Sequence, residues 1–182
     1  MNSFRLLAVL SIALLFLTIG CGSKKEAGTV GLDINVKETS SIRFAYLENV
    51  GPYDAIGERF TEIGAMAAQQ QLSGNIIGVF FSDPEKVPAE ELRCELGIQV
   101  PPEFEAPEGF KVREIQPRTV AYTVLKGPYE EIAEDYKKIF IWVDKNDYRI
   151  AGPLMEIYLK GGPEVPADEY LTEVRLPIMK KG

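Results

Sequence analysis

Residue types on which many catalytic and metal sites depend are scarce in this sequence. Its 182 residues include no histidine and only two cysteines, Cys21 and Cys94. Zinc sites and cysteine–histidine catalytic pairs need these residues, so we expect no metal site, and no motif indicates a cofactor.

Basic residues are also fewer than acidic residues. The sequence has 20 Lys and Arg against 27 Asp and Glu, which gives a net charge of −7. A chain of this charge lacks the basic surface that binds nucleic acid. Its negative field would instead raise the local concentration of cationic ligands.

Long apolar runs are absent except for one at the start of the chain, Leu6–Leu17. It is shorter than the roughly 20 residues that cross a bilayer. It follows the basic Arg5 and is followed by a small residue directly before Cys21, which is typical of a bacterial lipoprotein signal peptide. We therefore expect residues 1–20 to be a signal peptide and Cys21 to be lipidated. The alternative is an ordinary secretory signal with an unmodified cysteine.

A lipidated Cys21 would anchor the exported chain to a bacterial membrane, on the cell-envelope or periplasmic side. It would also leave Cys94 without a disulfide partner, so we expect Cys94 to be a small buried hydrophobe. Residues 21–33, which are small and charged after the cysteine, are expected to form a flexible tether. Residues 34–182 would then form the exported domain.

The exported domain is a tandem duplication. Three motifs recur at one constant spacing: Val36-Lys37-Glu38 as Val112-Arg113-Glu114, Phe44-Ala45-Tyr46 as Val120-Ala121-Tyr122, and Gly51-Pro52-Tyr53 as Gly127-Pro128-Tyr129. Glu95 recurs as Glu173 at a slightly wider spacing, so one loop is two residues longer in the second repeat. Because the matches keep their order, we assign the repeats to about 34–103 and 109–179.

Each repeat predicts the same elements. An alternating strand is followed by a Gly-Pro helix start and an apolar stripe at helical spacing. Two more strands are predicted at about 76–82 and 92–100 in the first repeat, and at 153–160 and 171–178 in the second. The expected fold class is therefore α+β: two β-α-β-β repeats related by a pseudo-twofold axis. We expect one joint antiparallel sheet with both helices on one face and a ligand cleft between the repeats.

The repeated motifs, taken with two strand motifs near the C-terminus, resemble a known domain. The strand motifs are Glu156-Ile157-Tyr158 and Thr172-Glu173 with Pro177 four positions later. Together they are similar to the GyrI-like small-molecule-binding domain, which is also the effector-binding part of multidrug-sensing transcription activators. The resemblance covers about 34–179.

The resemblance implies that bulky aromatic or cationic molecules bind in a cleft with an acidic residue at its centre. A hydrolase is the alternative that it implies, since some members hydrolyse strained cyclopropane-bearing toxins. No DNA-binding helices precede the domain in this sequence, and the predicted signal peptide directs it out of the cytoplasm. We therefore expect neither transcription control nor gyrase inhibition.

Alternation along the last two strands predicts where their side chains point. In the last strand the apolar residues, Val174 among them, should face the helices, so that Glu173 faces the opposite, concave side of the sheet. In the preceding strand Met155 and its alternate apolar neighbours should face the helices. This places Glu156 and Tyr158 on the side of Glu173.

A carboxylate among aromatic side chains is a suitable cation site, because a buried charge is costly unless it is paired. The candidate ligand-binding residues are Glu173, Glu156, Tyr158, Tyr122, Glu95, Phe80, Tyr46 and Trp142. Three alternatives stay open: the carboxylates are simply solvated, Arg175 pairs with Glu173, or the aromatic residues pack in the core.

We favour a binding protein over an enzyme. If the protein is an enzyme, a hydrolase that uses Glu173 and Tyr158 as base and acid is the expected kind. A third hypothesis is an envelope scaffold that binds a protein partner, which predicts an exposed apolar patch. The sequence does not identify such a partner.

Overall fold

A computed structural model describes residues 32–132 and 135–182. The predicted signal peptide, the lipidation site at Cys21 and all but the end of the tether lie outside these residues, so those expectations stay predictions. Residues 32–182 form one compact unit by themselves. Within the described stretches, no helix is both long and apolar enough to cross a bilayer.

The described residues form nine strands and three α-helices. The strands are β1 (Asn35–Glu38), β2 (Ile42–Val50), β3 (Ile76–Phe80), β4 (Arg93–Gln99), β5 (Lys111–Ile115), β6 (Thr119–Lys126), β7 (Tyr148–Ile150), β8 (Leu154–Lys160) and β9 (Leu171–Lys180). The helices are α1 (Gly57–Gln69), α2 (Tyr129–Ile132) and α3 (Tyr136–Lys145).

The strands form an antiparallel sheet in the order β1-β6-β9-β8-β3-β4-β2-β5, and β7 pairs with the end of β9. The predicted fold class, two repeats that share an antiparallel sheet covered by helices, is confirmed. The equivalent strands β3 and β8 pair at the centre, where Gly78 lies opposite Glu156. The pseudo-twofold axis therefore passes between these two strands.

Each repeat begins with an additional strand, β1 or β5, which the sequence analysis did not predict and which pairs with the other repeat. Strand β1 pairs with β6 of the second repeat, and β5 pairs with β2 of the first. Since β1 and β5 carry matching motifs at equivalent positions of the two repeats, the exchange is reciprocal. Both edges of the main sheet are thus formed by exchanged strands.

The two-residue difference between the repeats lies after the main helix. Residues 70–75 connect α1 to β3, whereas residues 146–153 connect α3 to β8. The longer connection contains β7, which pairs with the end of β9. The extra residues therefore add a short strand to the second repeat and leave the other elements in register.

Apolar side chains are buried on both faces of the sheet. On the helix face, α1 and α3 each cover a cluster that includes the equivalent residues Ala45 and Ala121, and Cys94 is buried there as expected. The opposite face, which we call the concave face as in the sequence-based expectation, holds a third cluster made of Phe44, Tyr46, Ile77, Val79, Ile115, Met155 and Ile157. Fully burying side chains of this size stabilises a fold by about 1.5–3 kcal/mol each. The concave face is therefore a second core.

Candidate functional site

Glu156 and Tyr158 lie on the helix face of the sheet, so the prediction that they share the side of Glu173 is wrong. In the pairing of β8 with β9, Glu156 is opposite Val174 and Ile157 is opposite Glu173. Directly opposed residues of antiparallel strands share a face. The prediction failed because the concave face is also a core. Ile157 is buried there, and hydrophobicity alone did not identify the helix side.

Glu173 does face the concave side, and its charge is compensated within the chain. Nζ of Lys37 and Nε of Arg175 donate to Oε1 of Glu173 at 2.6 and 2.5 Å. Lys37 also lies 4.0 Å from the centre of the Tyr122 ring. Burial raises the pKa of Glu173, but the two hydrogen bonds and positive charges outweigh it and lower the pKa overall. The alternative that Arg175 pairs with Glu173 is confirmed; a ligand role for Glu173 stays a prediction.

The first repeat has a similar ion pair around Glu95, with one cationic partner instead of two. Nη2 and Nε of Arg113 donate to Oε2 of Glu95 at 2.5 and 2.7 Å. The guanidinium carbon lies 4.9 Å from the ring centre of Phe44 and 5.7 Å from that of Tyr46. Because Lys37 and Arg113 are on the exchanged strands, each ion pair ties one repeat to the other.

Glu156 is a buried carboxylate without a cationic partner. Only 7% of its surface is exposed. The hydroxyl of Tyr136 donates to Oε1 at 2.7 Å, and that of Tyr158 donates to Oε2 at 2.5 Å. Among the residues that the structure describes, no Lys or Arg pairs with it. Burial raises the pKa of Glu156, and the two tyrosine hydrogen bonds offset part of this rise. A positive group brought next to it would stabilise the ionised form.

Tyr158, one of the two hydrogen-bond partners of this carboxylate, packs among other aromatic rings. Tyr158 makes edge-on contacts with Phe60 on α1 and Tyr129 on α2, at 5.2 and 5.4 Å between ring centres. Tyr129 in turn packs on Tyr170 at 5.1 Å. Burial raises the pKa of Tyr129 to about 12 and that of Tyr136 further still, so their hydroxyls stay protonated. The cluster lies where helices of both repeats meet the central strands.

The polar groups of this cluster occur in one repeat only. At the positions equivalent to Tyr136, Glu156 and Tyr158, the first repeat has Phe60, Gly78 and Phe80. Phe80 still makes an edge-on contact with Tyr53, at 5.1 Å, as Tyr158 does with Tyr129. The fold therefore does not require polar groups at these positions. We call Tyr136, Glu156 and Tyr158 the tyrosine–glutamate cluster, and take it as the candidate functional site.

The other predicted residues are distributed around the molecule. Tyr46 and Tyr122 lie on the concave face with the ion pairs, and Phe80 lies on the helix face of the first repeat. Trp142 stacks on Tyr148 at 6.1 Å and packs against the core beneath α3, which agrees with the core-packing alternative. Tyr136 was not among the predicted site residues. The available signal was the hydroxyl it adds relative to its counterpart Phe60.

Two cavities in the described part of the chain lie away from the cluster. One, of about 600 Å³, is lined by residues 71–75 and 99–102. The other, of about 240 Å³, lies beside Glu95 at the ends of β2 and β4. Neither is lined by Glu156, which is buried and accepts hydrogen bonds from Tyr136 and Tyr158. Because the carboxylate is buried, a ligand reaches it only if neighbouring side chains move.

Comparison with known proteins agrees with the resemblance that the repeated motifs carry. The pattern of the GyrI-like small molecule binding domain matches residues 32–179. The chain is similar to a DNA gyrase inhibitor of Erwinia billingiae (strain Eb661), with 28% identity over 155 residues, which are 82% of this chain and 99% of the relative.

Two solved structures share the fold. The C-terminal domain of EcmrR has a TM-score of 0.71 at 17% identity and covers 82% of this chain and 99% of its own. SAV2435 bound to tetraphenylphosphonium has a TM-score of 0.53 at 10% identity, with coverages of 81% and 94%.

Proposed function

The chain belongs to the GyrI-like small-molecule-binding domain family, and we propose that it is a membrane-anchored member that binds bulky aromatic cations at Glu156. One observation carries the proposal: Glu156 is a buried carboxylate that has aromatic neighbours and hydroxyl donors but, among the described residues, no counter-charge. A ligand cation would supply that charge.

The surroundings of Glu156 favour an aromatic cation over a small hydrated ion. A cation near the faces of tyrosine rings gains about 0.5–2 kcal/mol from the ring quadrupoles, more when it is desolvated. Flat ligand rings can replace the packing that Phe60 and Tyr129 now make with Tyr158. The net charge of −7 would raise the local concentration of such a ligand. The tetraphenylphosphonium bound to SAV2435, which has the same fold, supports this ligand class.

The two tyrosines of the cluster have a defined role in this proposal. Their hydroxyls hold both oxygens of Glu156 and stay protonated, because burial raises the pKa of each of them. They therefore orient the carboxylate without contributing a negative charge of their own. Each carboxylate oxygen keeps lone pairs free for a cationic group.

Binding measurements on the 32–182 unit test this proposal. We expect tetraphenylphosphonium to bind the unit, and Glu156→Gln to weaken binding at least about tenfold, which corresponds to about 1.4 kcal/mol. Glu173→Gln is the matched control: it removes a carboxylate that already has two cationic partners, so affinity should change less than about twofold. Equal loss in both variants, or loss in the control alone, would contradict the assignment to Glu156.

The membrane anchor is the second part of the proposal. It is supported by the apolar run that ends just before Cys21. We expect the full chain to incorporate labelled fatty acid in a bacterial host and to fractionate with membranes, and Cys21→Ser to abolish the labelling. Labelling that persists in this variant would rule out lipidation at Cys21.

A hydrolase is a second candidate, because Glu156 and Tyr158 are already joined by a hydrogen bond. A carboxylate with a raised pKa can act as a general base, and a tyrosine beside it as a general acid. In that case a strained cyclopropane-bearing compound should be turned over by the wild-type unit and not by Glu156→Gln. Binding without turnover would favour the binding protein.

A further inference from the structure

Thr172, on β9, has a buried hydroxyl without a hydrogen-bond partner in the described chain. Only 1% of the residue is exposed. Leaving a buried polar group unpaired costs about 1–3 kcal/mol, whereas an apolar side chain of the same shape would avoid this cost. The hydroxyl therefore needs an explanation other than stability.

Thr172 lies next to the tyrosine–glutamate cluster. The register of β8 and β9 places Thr172 directly opposite Tyr158 and diagonally across from Glu156. The three residues share the helix face of the sheet, because Glu156 and Tyr158 are two positions apart and opposed residues share a face. Diagonal neighbours on paired strands are about 7–8 Å apart, which is within the span of one bulky ligand.

The first repeat shows that the fold does not need a hydroxyl here. Cys94 occupies the equivalent position, opposite Phe80, as Thr172 is opposite Tyr158. Cys94 is 2% exposed and packs in the core under α1. A side chain without a hydroxyl is therefore compatible with burial at this place. Thr172 therefore adds a polar group to the repeat and to the sheet face that also carry the polar groups of the cluster.

We propose that the Thr172 hydroxyl is a second recognition point of the ligand site, and that the ligand is an aromatic cation that carries a hydrogen-bonding group on one of its rings. This inference rests on the proposed function. Threonine can donate or accept a hydrogen bond, so a hydroxyl or a carbonyl on the ligand would satisfy it. A site with a buried polar group discriminates against analogues that leave the group unpaired.

A matched pair of probes tests the inference. Tetraphenylphosphonium has no hydrogen-bonding group, and (3-hydroxyphenyl)- and (4-hydroxyphenyl)triphenylphosphonium add a single hydroxyl to the same cation. We expect the wild-type 32–182 unit to bind one of the hydroxylated probes at least about tenfold more tightly than the parent. Thr172→Val, which keeps the shape of the side chain, should abolish this preference and leave the affinity for the parent within about twofold of wild type.

Two further variants separate recognition from a structural effect. Thr172→Cys reproduces the residue of the first repeat and should also abolish the preference. Cys94→Val changes the equivalent position and should retain it. Thr172→Val should melt at a higher temperature than wild type, because it removes an unpaired buried hydroxyl.

Three outcomes would overturn the inference: equal binding of all the probes by the wild type, a preference for the hydroxylated probe that persists in Thr172→Val, or a preference that is also lost in Cys94→Val. If Glu156→Gln still lowers the affinity for tetraphenylphosphonium in any of these cases, the proposed function stands and only the role of Thr172 fails. If no probe binds the wild type, both fail.

Discussion

The hydroxyl of Tyr136 donates a hydrogen bond of 2.7 Å to Oε1 of Glu156. Tyr136 is on helix α3, and Glu156 is on β8, the central strand that joins the two repeats. The first repeat cannot form this bond, because Phe60 and Gly78 occupy the equivalent positions. The contact therefore distinguishes the two halves of a duplicated scaffold, and it fixes the orientation of the carboxylate to which we assign ligand binding.

Removing this hydroxyl should destabilise the protein. Tyr136→Phe deletes a hydrogen bond to a buried carboxylate, and hydrogen bonds to charged groups contribute about 1.5–3 kcal/mol. We expect the free energy of unfolding, measured by urea denaturation at pH 7, to fall by about this amount. Tyr148→Phe is the control, because Tyr148 stacks on Trp142, and we expect its change to stay within about 0.5 kcal/mol. Equal stability of Tyr136→Phe and wild type would show that the bond is not formed in solution.

The buried charge of Glu156 should make stability depend on pH. The folded state raises the pKa of Glu156, so it holds the proton more tightly than the unfolded chain does. The resulting stabilisation is fully present below the unfolded pKa of about 4.3 and is lost as pH rises through the folded pKa. Glu156→Gln has no such titration. Its unfolding free energy relative to wild type should therefore rise between pH 4 and pH 8; a constant difference would contradict the raised pKa.

The ion pairs of the concave face should contribute to stability. Glu173→Gln leaves Lys37 and Arg175 without their carboxylate, and we expect a loss of about 1–3 kcal/mol at pH 7. The loss should shrink as pH falls through the lowered pKa of Glu173. The control is Glu48→Gln, which breaks an exposed pair with Lys111 and should have a much smaller effect. Comparable losses in the two variants would argue against a structural role for the partly buried pair.

Gly97 should not tolerate a side chain. It is on β4, and a Cβ added there would lie 2.1 Å from the backbone oxygen of Ala45 on the neighbouring strand. We expect Gly97→Ala to lower the unfolding free energy by about 1–3 kcal/mol or more, as overpacking does. Gly64→Ala is the matched control: a Cβ at this position of α1 meets open space, so the variant should gain up to about 1 kcal/mol. Thermal denaturation of both variants checks the pair of predictions.

The sequence was sufficient to predict the duplication, the strand-helix-strand-strand core of each repeat and a two-residue difference in the length of one loop. These features depend on local patterns and on matches between the repeats. The strand exchange was not predictable in this way. Strand β1 is short, with every residue but Lys37 exposed, and its partner β6 lies far along the chain in the second repeat. A short exposed strand with a distant partner leaves no local sequence pattern that identifies the pairing.

The position of the site was predicted only in part. Glu156 and Tyr158 were among the candidates, but their face was assigned wrongly because both faces of β8 are buried. Of the two cationic partners of Glu173, only Arg175 was predicted, because it is two residues away in the sequence. Lys37 is 136 residues away and is brought close by the strand exchange. The contrast between Glu156 and Gly78 was present in the aligned repeats, and it became informative once the strand register had placed both residues on the helix face.

The most direct test of the central claim is a carboxyl ¹³C NMR titration of Glu156, assigned by comparison with Glu156→Gln. Without ligand, the pKa of Glu156 should lie above the ordinary value of about 4.3. With saturating tetraphenylphosphonium, it should shift downward, because a cation bound beside the carboxylate favours its ionised form. A pKa of Glu156 that is unchanged when the ligand is bound would show that this carboxylate is not the counter-charge of the ligand.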